Sequence, residues 1–104
     1  MPLPDEIAEL LRLPESGERA PSLAAIESTL TEGYLAALSL EAEKLRLERR
    51  LGQLAREPGR SGQARELARL SARLDLADDE IARLRPLLRS LQERARARRR
   101  ALAG

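Results

Sequence analysis

Two clusters in this sequence have the residue types and spacing that chemistry requires. Asp75, Asp78, Asp79 and Glu80 form an acidic group in which Asp75 and Asp79 stand four residues apart, so on a helix their carboxylates share a face. Hard divalent cations take oxygen ligands of this kind. The chain has no histidine and no cysteine to complete a donor set, so the group is expected to be a solvated face near Lys44 and Arg73, with no metal and no other cofactor. The second cluster is Arg94, Arg96, Arg98, Arg99 and Arg100, which suits phosphates of nucleic acid or an anionic membrane surface. It lacks interleaved aromatic residues for base stacking, and a helix C-terminus also favours positive charge. Nucleic acid is therefore the second reading and not the first. Catalysis would have to rest on exposed carboxylates and the single tyrosine, Tyr34, so the chain is not expected to be an enzyme.

The elements that carry these groups follow from the apolar spacing. Leu23, Ile26, Leu30, Gly33, Ala37, Leu40, Lys44, Leu47, Leu51 and Leu54 recur at alternating intervals of three and four. That is the pattern of a helix presenting one seam to a partner. After Pro58-Gly59 a second seam runs through Leu67, Leu70, Leu74, Ala77, Ile81, Leu84, Leu88, Leu91 and Ala95. Glu57-Pro58-Gly59-Arg60-Ser61-Gly62 has the residues a reversal needs, with Ser61 a candidate N-cap.

If the chain reverses at Gly59–Arg60, seam positions whose numbers add to 121 should face one another. Leu54 then meets Leu67, Leu47 meets Leu74, Lys44 meets Ala77, and Gly33 meets Leu88. Small residues fall opposite large ones, which holds the volume of each layer near constant. Lys44 can lay its stem over Ala77 and put its ammonium in water. Glu43 with Arg73, Arg50 with Glu66, Glu41 with Arg85 and Glu27 with Arg99 are the charge pairs expected beside such a seam. Pro86 lies outside the seam, whose phase continues past it, so a kinked and continuous second helix is expected.

The expected fold is all-α: a long antiparallel helical hairpin, a coiled coil, preceded by a short N-terminal helix. Residues 1–20 form a short amphipathic helix plus linker. Residues 21–104 form the hairpin, with helices over 21–56 and 62–100 and a turn over 57–62. Residues 4–13 make the short helix, with Asp5 and Glu6 at its positive end and Pro14 stopping it. About ten residues is too short for stability alone in water, so this helix must dock.

With 104 residues, 1% aromatic and 35% charged, the chain is one small helical domain without a thick core. Its net charge of +2 conceals an asymmetry: residues 1–43 carry nine acidic and two basic side chains, net −7, and the rest carry 17 basic and eight acidic, net +9. No apolar run approaches the roughly 18–20 residues that span a bilayer, and no secretory signal opens the chain, so cytoplasmic residence is expected. Tyr34, Leu35, Leu38, Leu45, Leu76 and Leu87 lie off the seam and need a cover. A homodimer forming a four-helix bundle is preferred to a cover by the N-terminal helix. The expected function is a non-enzymatic helical interaction module, self-associating or adapting to a protein partner.

Overall fold

The structure, a computed structural model, describes residues 2–57, 59 and 61–104. Pro58 and Arg60 of the expected turn lie outside the described residues. Among the described residues the chain forms three α-helices and no strand: α1 over Leu3–Arg12, α2 over Leu23–Arg56 and α3 over Gln63–Ala103. No helix is long and apolar enough to cross a membrane among the described residues. The chain divides into two units, residues 1–37 with 83–104 and residues 38–82.

In the unit of residues 38–82, the core is a cluster of Leu47, Leu54 and Leu70, with Leu51, Leu67 and Leu74 packed against it. The later α2 position, Arg50, pairs early in α3, and the earlier ones, Glu43 and Lys44, pair further along it. Arg50 binds Glu66 at 3.0 Å, Lys44 binds Asp78 at 2.8 Å and Arg73 binds Glu43 at 3.1 Å. Lys44, at a seam position, ends on the carboxylate of Asp78, the residue after the buried Ala77. The end of α2 is closed by a side chain from the start of α3. The Gln63 amide donates to the Leu54 carbonyl, which also accepts from the Glu57 N–H at 3.2 Å, and, at 2.7 Å, to the carbonyl of Glu57, just past the end of the helix. Ser61, the expected N-cap, precedes Gly62, whose φ of 81° sets the entry to α3, and the first helical hydrogen bond runs from Glu66 N–H to the Gly62 carbonyl.

In the unit of residues 1–37 and 83–104, Ile26, Leu30 and Ala37 of α2 and Leu84, Leu88, Leu91 and Ala95 of α3 are buried. Ser22, just after Pro21, caps α2 by accepting from the Ala25 N–H at 3.1 Å. Glu27 pairs with Arg99 at 3.6 Å, and the Tyr34 hydroxyl donates to Gln92 at 3.5 Å. Gly33 faces Leu88, as the seam spacing predicts. A Cβ at Gly33 would overlap the Leu88 side chain and would lie 3.6 Å from Ile7 Cδ1. Pro86 lies inside α3, which continues through it.

The short helix docks on this unit. Ile7 of α1 is wholly buried, seated above Gly33. Asp5 and Glu6 donate their backbone N–H groups to the Pro2 carbonyl, which starts the helix. Burial of an isoleucine contributes roughly 1.5–3 kcal/mol, and that term outweighs the few tenths expected of each exposed ion pair.

Gly33→Leu should drive a side chain into space that Leu88 and Ile7 already fill. The cost expected from overpacking is about 1–3 kcal/mol, reduced by up to about 1 kcal/mol through better helix propensity. Denaturant unfolding of the variant checks this, and Gly33→Ala, which meets chiefly the far end of Leu88, should lose less.

Candidate interaction site

The residues that sequence reasoning marked as uncovered fall in different places. Leu38 and Leu45 lie seven residues apart on α2, two helical turns, in the unit of residues 38–82. They are 63% and 54% exposed. Seven-residue spacing puts both on one face, and the buried positions Leu47 and Leu54 lie on another. Leu45 borders an open groove with Glu48, Arg49 and Gly52. In the same unit Leu76 is 62% exposed and belongs to a different groove, beside Glu43 and Arg73. Leu45 and Leu76 thus border different grooves.

In the other unit, Tyr34 and Leu35 remain 46% and 60% exposed. The docked α1 leaves them open, because its contacts lie elsewhere. It borders Thr29 and Glu32 of α2 and binds Arg83 and Arg94 of α3. Leu87 is half-buried. It lies four residues after Arg83 and seven before Arg94, on the face of α3 that carries both arginines toward α1.

The C-terminal arginines divide in the same manner. Arg94 donates from Nη1 to the Leu13 carbonyl at 3.0 Å and from Nη2 to the Leu11 carbonyl at 2.8 Å. Its Nε stands 4.0 Å from Glu15. This guanidinium thus closes the C-terminus of α1, where Pro14 ends the helix and leaves carbonyls without helical donors. Arg99 is paired with Glu27. Arg98 is half-buried, and its Nε is enclosed without a hydrogen-bond partner. Arg96 and Arg100 are exposed. The chemistry left to this segment for an external anion is therefore carried mainly by two side chains, not five.

The acidic cluster is likewise spread out. Asp78 is engaged by Lys44, and Asp75, Asp79 and Glu80 are exposed. Among the described residues no three carboxylates converge closely enough to hold a metal ion. The acidity of the Lys44 ammonium is clearly displaced. The hydrogen bond to Asp78 and its negative charge, with a smaller contribution from Glu48, hold it protonated above its ordinary value of 10.5, against a lesser opposing effect of desolvation.

Two functional contacts had no signal in local spacing. The Arg94 fork on α1 and the Gln63 cap on α2 both join a long side chain to backbone carbonyls. Such acceptors exist at every residue, so no pattern of residue types announces them. Compared with family models, curated proteins and solved structures, the chain matches none.

The Lys44 displacement gives a pH dependence with a definite sign. Because the folded chain holds the proton more tightly than the unfolded one, the Lys44–Asp78 contribution is fully present below the unfolded value. It is lost as pH rises through the raised folded value. Stability measured by denaturant from pH 8 to 12 should fall at the alkaline end, and Lys44→Met should flatten the part of that fall owed to this pair.

Proposed function

We infer that the chain is an antiparallel coiled-coil hairpin serving as a non-enzymatic helical interaction module, and that it self-associates through the outward leucines of α2. The observation that carries this reading is the exposure of Leu38 and Leu45 on one face of a helix whose opposite side is already packed. Soluble helices direct such positions to polar residues, and a leucine pair two turns apart is what a second helix takes up. The pairing of Arg50 early in α3, and of Glu43 and Lys44 further along it, supports the hairpin.

Leu38 and Leu45 have 63% and 54% of their surface left to bury. Two leucines from each copy, at roughly 1.5–3 kcal/mol for each fully buried side chain, then give about 4–7 kcal/mol against an association cost of at least about 4 kcal/mol. Pairing needs flanking surface of the same face as well. The surface arrangement fits a four-helix bundle built from two hairpins. Residence in the cytoplasm belongs to the same proposal. The phosphate-binding reading rests on Arg96 and Arg100, with Arg94 and Arg99 committed within the chain, and is the weaker of the two.

Sedimentation at several concentrations tests the module. The wild-type chain should pass from monomer to dimer in the micromolar range, with little dependence on salt. Leu38→Glu with Leu45→Glu should hold it monomeric. A wild-type monomer at every concentration would refute self-association, and binding to added DNA that weakens steeply with salt would support the phosphate reading instead.

A further inference from the structure

The seat of α1 reads as a ruler for a short helix. At one end Arg83 binds the Asp5 carboxylate in the first turn of α1. At the other end the Arg94 fork takes the carbonyls of Leu11 and Leu13. Between them the space over Gly33 receives Ile7, which is fully buried. Arg83 and Arg94 are eleven residues apart, about 16 Å along α3 at about 1.5 Å per residue. The groups they hold, at Asp5 and at Leu11 and Leu13, lie six and eight residues apart, about 9–12 Å along a helix by the same measure. The arginine side chains therefore converge on the shorter helix.

Each end has its own chemistry. A carboxylate in the first turn satisfies both Arg83 and the positive end of the helix dipole. The carbonyls that Arg94 binds are free only where a helix stops, so the fork selects a helix terminus and not a passing segment. The seat therefore recognises length, polarity and one apolar side chain together.

The tether to this seat is loose. Ten residues, Leu13 to Ser22, separate α1 from α2. Leu13 and residues 14–19 are exposed. A ten-residue segment reaches up to about 33–36 Å when extended, roughly twice the length of the helix that it carries. That reach is long enough for α1, with the Leu13 and Glu15 contacts that accompany it, to meet the seat of a second chain.

We propose that the seat formed by Arg83, Gly33, Leu88 and Arg94 is an exchangeable docking site for α1, and that its occupant in trans is α1 of a second copy. The second copy is the occupant because its α1 carries the carboxylate, the isoleucine and the helix end at the spacing that the seat measures. This exchange uses surfaces separate from Leu38 and Leu45, so it stands or falls independently of the α2 interface.

Two full-length variants test it. The acceptor, Ile7→Asp, keeps its seat and cannot occupy it. The donor, Arg83→Glu with Arg94→Glu, keeps a competent α1 and lacks a seat. Tagged acceptor should retain donor at least tenfold above a control donor that also carries Ile7→Asp. Association through the α2 leucines would retain donor and control equally, so the two interfaces are distinguished. Circular dichroism accompanies the capture. If the acceptor is less helical alone, recovery of helicity on adding donor, and not on adding control, is the same positive result. Equal retention of donor and control, with a mixed spectrum equal to the sum of its parts, overturns the proposal.

Discussion

A glycine inside a helix costs about 1 kcal/mol relative to alanine, yet α2 has one at position 33, where a side chain has no room. Leu88 from α3 and Ile7 from α1 occupy the volume that a Cβ and its substituents would need. Three helices meet on that one absent side chain. The close approach fixes which residue of α3 faces α2 in this unit. It also gives a helix too short to be stable alone a place for its one fully buried residue. Leu3, Leu10 and Leu11 are half-buried beside it, and the ion pair of Asp5 and the Arg94 fork lie toward the two ends of α1, where they align the helix.

Charge is arranged around the same frame. The acidic beginning of the chain and its arginine-rich end are brought together within one unit, where Asp5 pairs with Arg83, Glu15 with Arg94 and Glu27 with Arg99. In the other unit Glu43, Lys44 and Arg50 find partners of opposite sign on α3. Exposed pairs of this type contribute little to stability, a median of about 0–1 kcal/mol each. Their collective effect is to disfavour other registers, in which like charges would stand opposite one another. Arg94 and Arg99 of the C-terminal run are thereby engaged within the chain, and that engagement weakens a reading of the segment as one continuous anion-binding surface.

The helical class and the inward-facing residues were legible because they depend on period alone. Every expected seam position from Leu23 to Leu54 and from Leu67 to Ala95 is buried or half-buried, and alternating spacings of three and four suffice to mark such positions. The docking of α1 was legible as a necessity, from its amphipathic face and its shortness. Its location was not, because it is set by Gly33 and by arginines more than seventy residues away. Leu45 and Leu76 were both expected off the seam, as residues that need a cover. The phase of each helix gives only an angle from its own seam, whereas the flank on which that angle falls depends on how the two helices face each other. In the structure they border separate grooves. Leu87 shares a helical face with the α1-binding arginines, a neighbourhood that its spacing from the seam could not reveal.

The central claim is that the outward face of α2 at Leu38 and Leu45 is an interface between copies. Methyl NMR of a leucine-labelled chain, recorded over a range of protein concentrations, examines that face directly. The account predicts that the Leu38 and Leu45 methyl signals move with concentration, while those of Leu47 and Leu54, already enclosed within one chain, stay fixed. Leucine spectra unchanged from micromolar to millimolar concentration would contradict it.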